Sequence, residues 1–303
     1  MNGASFGRSH SRRKKLLPLA VILSILLLGI GAGSWLVTYL AVNPSIRHIG
    51  HTQMDALPEG YREISFKTED GLLLRGWYAA GQSDAVVMLV HGFARDRSEL
   101  LPESRWLVER GYGVLLFDTR AQGQSAGTSI GFGYAEALDV TAGVDFVQGQ
   151  LPAARIGILG YSMGAVAAIQ AAAVDPRIEA VIAVSPFATL RDTVNRRLKY
   201  ARVLLPLAAW WGERLTGIRL DAVRPVDSIG ALAPRAVLIM HAEQDGFVTQ
   251  DSGLRLYQAA GEPKMLWLVP GVAHVDFRQA VPQEYKRRVI EFFDRYLAAR
   301  NPT

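Results

Sequence analysis

Residues 155–168 read Arg155-Ile156-Gly157-Ile158-Leu159-Gly160-Tyr161-Ser162-Met163-Gly164-Ala165-Val166-Ala167-Ala168. Ile156 to Leu159 is a short apolar run of the kind that forms a buried strand, and the small residues from Ala165 onward suit a tightly packed helix. Between them lies Gly160-Tyr161-Ser162-Met163-Gly164, a G-x-S-x-G pattern. A serine held on a sharp strand-to-helix turn adopts a strained backbone, and its flanks pass close to one another. Glycine two residues before and two residues after removes the side chains that would collide. Such a turn exposes the Ser162 hydroxyl at the end of the strand. It also points the Met163 N–H, at a helix N-terminus, toward an oxyanion formed there. The five-residue pattern is weak by itself; the strand before it and the helix after it give it weight.

The same rhythm extends in both directions. Segments 64–68 and 72–78 flank Glu69-Asp70-Gly71, and Asp-Gly between strand-like runs predicts a hairpin. From Ala85 onward strands are expected at 85–90, 113–117, 155–159, 180–184, 236–241 and 264–269. Helices are expected at 99–110, 134–148, 165–174, 252–260 and 283–299. In the last of these Tyr285, Val289, Phe292, Phe293, Tyr296 and Leu297 keep a helical period with charges opposite. A leading hairpin followed by β-α repeats predicts an α/β fold with a mostly parallel, doubly wound sheet. In such sheets the functional groups gather at the carboxyl ends of the strands.

A serine hydroxyl is a poor nucleophile unless a base takes its proton, an acid orients the base and donors receive the oxyanion. Each role has a candidate at a strand end. His274 follows strand 264–269 through Pro270-Gly271-Val272-Ala273, and Asp245 follows strand 236–241 in Glu243-Gln244-Asp245-Gly246. Glu243, two residues away, is the competing acid. His91-Gly92-Phe93 follows strand 85–90, where the Phe93 N–H is placed to join that of Met163 as a second oxyanion donor. His91 reads as a loop-ordering residue and His241 as the end of a buried strand. Asp118 reads as a network residue tying loops together, with Arg120 as its partner. Glu136 and Asp139 suit the dipole at a helix start.

The chain has 303 residues, 50% hydrophobic and 20% charged, which describes a globular body rather than a disordered chain. It has no cysteine, which excludes disulfides, thiolate metal sites and a cysteine nucleophile. The linker histidines His48 and His51 lack a third ligand, so no metal is expected. The formal net charge of +5 is accounted for by Arg8, Arg12, Arg13, Lys14 and Lys15, so nothing suggests nucleic-acid binding. Those residues precede an uncharged apolar run over 16–42, long enough to span a bilayer with some tilt. Trp35 and Tyr39 sit toward its far end, where interfacial aromatics are expected. The organisation expected is a basic cytoplasmic tail (1–15), a transmembrane anchor (16–42), a linker (43–61) containing Pro44, Gly50, Pro58 and Gly60, and a domain over 62–303 outside the membrane. The rival is a cleaved signal peptide with a secreted body. Ala32-Gly33-Ser34 is its best cleavage site, but apolar Trp35-Leu36-Val37 follows.

Taken together, Glu69-Asp70-Gly71, His91-Gly92-Phe93, 118–125, 160–164, Asp245 and His274 resemble the α/β-hydrolase superfamily. Within it they resemble the bacterial esterase/lipase-like branch with its serine aminopeptidase-like and monoacylglycerol lipase-like members. The resemblance covers roughly 60–300, and the order Ser162, Asp245, His274 matches the family's nucleophile, acid, histidine order. It implies a Ser-His-Asp triad, hydrolysis through an acyl-enzyme and no cofactor. One departure concerns the loop after Asp118, where the family has Arg-Gly-x-Gly-x-Ser and this chain has Arg120-Ala121-Gln122-Gly123-Gln124-Ser125. Ester hydrolysis is the expected reaction. Peptidase, amidase or thioesterase activity on the same triad is the alternative, and a non-catalytic membrane-bound scaffold is a third reading.

Segment 188–234 is longer than one helix requires between two strands, and reads as a cap over the sheet end. Leu190, Val194, Leu198, Ala201 and Leu205 recur at helical spacing, with Arg191, Arg196, Arg197, Lys199 and Arg202 on other faces. Leu207, Trp210 and Trp211 follow. The plain reading is a helix packed on the domain with a solvated basic face. The sharper one is an acyl pocket that includes Leu205, Trp210 and Trp211, with the basic residues on anionic lipid and a lipid-derived or long-acyl ester as substrate.

Overall fold

Gly71 turns the hairpin as its sequence requires: at φ +85° it occupies the left-handed region, and its N–H closes on the Thr68 carbonyl at 2.9 Å. β1 (Tyr61–Lys67) and β2 (Leu73–Ala79) pair antiparallel on either side of it. The structure, a computed structural model, describes residues 8–43 and 57–297. His48, His51, Pro44, Gly50 and most of the expected linker lie outside the described residues, as do the side chains of the basic cluster.

After the hairpin come β3 (Ala85–Val90), α2 (Leu101–Glu109), β4 (Gly113–Phe117), α3 (Glu136–Gln150), β5 (Arg155–Tyr161), α4 (Met163–Val174) and β6 (Ile178–Val184). The cap carries α5 (Leu190–Arg197), α6 (Leu205–Thr216) and the single turn α7 (Pro225–Ser228). The chain closes with β7 (Ala236–Ala242), α8 (Gln250–Ala259), β8 (Lys264–Val269), α9 (Phe277–Ala280) and α10 (Pro282–Leu297). The whole is preceded by α1 (Arg8–Val42). The strand order is β1-β2-β4-β3-β5-β6-β7-β8. Among the described residues the β1–β2 and β2–β4 pairs are antiparallel and the six adjacent strands from β4 to β8 run parallel. This is the α/β-hydrolase architecture.

Alternation along the strands divides the core in two. Val86, Met88 and Val90 of β3 join one cluster, with α3, α4 and Leu256 of α8. Ala85, Val87 and Leu89 join the other, with Leu101 and Leu107 of α2 and the Tyr285, Val289, Phe292, Phe293 and Leu297 stripe of α10. Strands buried on both faces read as continuous apolar runs, which is why β3 and β5 were visible in the sequence. At Gly157 the sheet and α10 approach closely: a Cβ there would lie 2.4 Å from Leu297 and 2.7 Å from Phe293.

The cap departs from the expected single helical stripe over 190–205. α5 ends at Arg197, a 3-10 turn spans Arg202–Leu204, and α6 starts afresh at Leu205. Pro206 explains the new start. Its ring would clash with the carbonyl four residues back in a continuous helix, but it fits the first turn of a new one. Among the described residues one helical segment, Val21–Val42 of α1, is long and apolar enough to cross a membrane.

Candidate active site

Ser162 sits between β5 and α4 with φ 50° and ψ −109°, a strained conformation for a residue with a side chain. Two glycines make it feasible. A Cβ on Gly160 would lie 2.5 Å from the Gly164 carbonyl, and one on Gly164 would lie 2.2 Å from the Val90 carbonyl and 2.5 Å from that of His91. All three obstacles are backbone, so no side-chain movement relieves them. The Ser162 N–H is held by the Val184 carbonyl at 2.8 Å. Beneath the turn, buried Tyr161 bonds Glu103 at 2.7 Å and Tyr285 at 2.8 Å.

His274 Nε2 lies 2.9 Å from Ser162 Oγ, and its Nδ1 lies 2.5 Å from Asp245 Oδ2. The other carboxylate oxygen, Oδ1, accepts the N–H groups of Phe247 and Val248, each at 2.8 Å. Burial pushes the Asp245 pKa up, but the His274 hydrogen bond, the imidazole charge and the two N–H groups outweigh it and hold the carboxyl below its usual range. Glu243 is exposed and takes no part. The turn that presents His274 is tight: Val275, next in the chain, has φ 55°, rare for a β-branched residue. A carboxylate on Nδ1 leaves Nε2 as an acceptor facing the hydroxyl, an arrangement able to draw off the serine proton.

The loop after β3 is fixed by its own hydrogen bonds. The N–H groups on either side of Phe93 are both engaged: Gly92 donates to Glu99 Oε2 at 2.7 Å and Ala94 to Gln122 Oε1 at 2.6 Å. They fix the peptide between them beside Ser162, where a Cβ on Gly92 would stand 3.7 Å from Ser162 Cβ. Met163 opens α4, so its N–H has no acceptor within the helix. The Phe93 and Met163 side chains pack together with Ala121 and Ile130. His91 is fully buried and its ring is engaged on both sides: Nδ1 bonds the Gly92 carbonyl at 2.8 Å and Nε2 accepts the Thr119 N–H at 3.0 Å. His241 is also fully buried, 4.0 Å from Asp245 Oδ2 and without a hydrogen bond; burial pushes its pKa down, which keeps it neutral.

A cavity of about 600 Å³ opens onto Ser162 and His274. Its lining is mostly apolar and includes Phe187 and, from the cap, Leu190, Val194 and Val223.

Residues 81–229 match a hydrolase family model described as serine aminopeptidase, S33. That stretch includes Ser162 and most of the cap and stops before Asp245 and His274. The uncharacterized protein Rv2307c of Mycobacterium tuberculosis is 30% identical over 275 residues, 88% of this chain and 90% of its own. The esterase Pf2001 of Pyrococcus furiosus superposes with a TM-score of 0.68 at 29% identity, over 82% of this chain and 97% of its own. The chain belongs to the α/β-hydrolase superfamily. Another relative, the uncharacterized protein YfhR of Escherichia coli K12, is 27% identical over 254 residues, 81% of this chain and 84% of its own. Together these similarities support a hydrolase of the serine type.

Several side chains of this α/β-hydrolase stand elsewhere than the sequence suggested. The cavity face of α6 is Ala208, Ala209, Gly212, Glu213 and Thr216; Leu205, Trp210 and Trp211 do not line it. The reason is phase: Ala208, Gly212 and Thr216, four apart, share one stripe, and Trp210 lies off it, exposed beside Arg214. Asp118 does not pair with Arg120. It receives Arg97 through the backbone N–H at 2.7 Å and the guanidinium at 2.9 Å, while Arg120 bonds Asp139 and Asp70. Glu136 does more than face a dipole: fully buried, it accepts the N–H groups of Gly131 and Gly133, each at 2.7 Å. Ala121 adopts φ 57°, a conformation that favours the glycine the family carries there.

Some supporting residues carry no local sequence signal. Glu99 and Gln122 act through backbone N–H groups across a loop, which no spacing reveals. Glu103 is different: it shares a buried face with Leu100 and Leu107, and an acid on an apolar helix face implies a partner. That partner is Arg278, 2.7 Å away.

Proposed function

We propose that this α/β-hydrolase is a membrane-anchored serine hydrolase that cleaves carboxylic esters. The observation carrying the proposal is the continuous Ser162–His274–Asp245 chain of hydrogen bonds opening onto an apolar cavity. Ser162 Oγ attacks the ester carbonyl as its proton passes to His274 Nε2. The Phe93 and Met163 N–H groups receive the oxyanion. Collapse of the tetrahedral intermediate breaks the ester C–O bond, and His274 returns the proton to the departing alcohol. Water then gives its proton to His274, attacks the acyl-enzyme and releases the acid, leaving Ser162 protonated again. Asp245 stabilises the imidazolium in both half-reactions.

The apolar lining favours a substrate with an apolar acyl group. The likeness to the Pyrococcus furiosus esterase supports an ester substrate. The serine aminopeptidase description supports a second reading, an aminoacyl substrate on the same triad. A panel of p-nitrophenyl esters, thioesters and aminoacyl p-nitroanilides separates them. Esters should be turned over at least ten times faster than anilides, and Ser162→Ala should remove about 10⁴ or more of that turnover. Faster anilide cleavage would favour the peptidase, and unchanged turnover in Ser162→Ala would remove the serine mechanism.

The anchor is α1, with the basic N-terminal residues in the cytoplasm and the hydrolase domain on the far side. Burial of Ser34, Thr38 and Val42, four residues apart on one face, supports retention of the helix, because a cleaved signal peptide needs no face fitted to the mature domain. Protease added to intact spheroplasts should digest the domain; digestion only after lysis would reverse the orientation. On the cap, Lys199, Arg202 and Arg214 are exposed beside Tyr200, Val203 and Trp210, a composition suited to an anionic lipid surface.

A further inference from the structure

The anchor helix does more than end near the domain. Val37, Thr38, Ala41 and Val42 of α1 line the same cavity as Ser162 and His274. Across from them α6 presents its small-residue face, Ala208, Ala209 and Gly212. A Cβ on Gly212 would come 3.9 Å from the Thr38 methyl, so the two helices pack closely there. The Val42 carbonyl accepts the Ile130 N–H at 2.9 Å, and Ile130 packs against Met163, the proposed oxyanion residue. The end of the anchor is thus one hydrogen bond and one packing contact from Met163, the neighbour of Ser162 in the chain.

The wall is also an edge. Val37 lines the cavity, yet it is 66% exposed and adjoins exposed Leu36 and Trp35. The apolar span Val21–Val42 has 22 residues, about 33 Å at 1.5 Å per residue, close to the ~30 Å hydrocarbon thickness of a bilayer. Val37 lies five residues before its end, flanked by the stacked pair Trp35 and Tyr39, whose ring centroids are 5.0 Å apart. Such aromatic residues mark the membrane interface. The cavity mouth therefore sits at the depth where acyl chains join their head groups.

We propose that the cavity opens laterally past α1 into the bilayer, and that the substrate is a bilayer-resident amphiphilic ester whose acyl chain lies between α1 and α6 with its ester at Ser162. This rests on the ester-hydrolase reading above. It makes the anchor part of the acyl-binding site, so longer acyl chains bury more apolar surface against α1 and α6.

The test uses the full-length protein in detergent micelles, with p-nitrophenyl acetate and decanoate. Ala41→Trp, which fills the space beside α6, should lower the decanoate-to-acetate ratio of kcat/KM at least tenfold. Ala41→Leu, a smaller intrusion that guards against misfolding, should lower it by a smaller factor. Val174→Ala, at an exposed position outside the cavity, should leave the ratio within twofold. An unchanged ratio in both Ala41 variants, with melting temperatures near wild type, would overturn the proposal while leaving ester hydrolysis intact. A wild type that hydrolyses neither ester would overturn the ester reading itself. In proteoliposomes carrying a fluorogenic acyl-ester lipid, the rate should follow the lipid's mole fraction in the bilayer. A rate that follows its bulk concentration at fixed mole fraction would overturn lateral entry.

Discussion

Replacing Asp245 by asparagine should disable the enzyme through a tautomer rather than through lost packing. Asp245 Oδ1 accepts two N–H groups, from Phe247 and Val248 at 2.8 Å each, and Oδ2 faces His274 Nδ1. An asparagine keeps those two backbone bonds only if its carbonyl oxygen takes the Oδ1 position. Its NH₂ then points at Nδ1, which must become an acceptor. The imidazole proton moves to Nε2, the nitrogen 2.9 Å from Ser162 Oγ, and the base presents a proton where it should present a lone pair. A wrong tautomer of this kind costs about 10⁴ in turnover, or about 5.5 kcal/mol of activation free energy. The assay is kcat/KM on p-nitrophenyl esters with the full-length protein in detergent, alongside a thermal melt to establish folding. Glu243→Gln, at an exposed position, should stay within about twofold. A folded Asp245→Asn protein within tenfold of wild type would refute the tautomer argument, and a more damaging Glu243→Gln would make Glu243 the acid.

Two further outcomes follow from the same geometry. Gly164→Ala would drive a methyl into the Val90 and His91 carbonyls, so urea unfolding should reveal a loss of about 1–3 kcal/mol or more, and kcat/KM should fall as the end of β3 and the Phe93 N–H are displaced; wild-type values on both counts would mean the turn is looser than described. The Asp245 carboxyl is held below its usual pKa, so its contribution to stability is present above the unfolded value of about 3.9 and is lost as pH falls through the folded value; the unfolding free-energy gap between wild type and Asp245→Asn should therefore narrow from pH 7 to pH 3, and a constant or widening gap would contradict that sign.

Much of this architecture was legible because its signals are local. β3, β4 and β8 end where the sequence puts them: β3 and β4 are short apolar runs buried by neighbours on both sides, and β8, half-buried at the sheet edge, is bounded by turn residues. The elbow was legible because steric demand leaves only glycine at 160 and 164. His274 and Asp245 were reachable because the ends of parallel strands converge, so position along the chain stands in for position in space. Tertiary choices were not legible. Arg97 and Arg120 both lie within reach of the Asp118 loop in sequence, and only the folded loop assigns Asp118 to the first. The phase of α6 depends on where the helix begins. The expected stripe ran through Leu205, but Pro206 restarts the helix there and turns Ala208 and Gly212, not Trp210, toward the cavity. The contribution of α1 to the cavity was hidden for another reason. A small, weakly polar face of Ser34 and Thr38 inside an apolar span looks like ordinary membrane helix until its packing partner is in place.

The most direct measurement is covalent trapping of the nucleophile. The full-length protein, solubilised in detergent, is treated with a fluorophosphonate, digested and mapped by tandem mass spectrometry. One phosphonyl adduct is expected, on Ser162, formed in seconds to minutes, abolished in Ser162→Ala and strongly slowed in His274→Ala. The fully buried Ser185 should stay unlabelled. No adduct on Ser162 in folded protein, or labelling that persists unchanged in Ser162→Ala, would contradict the assignment of Ser162 as nucleophile.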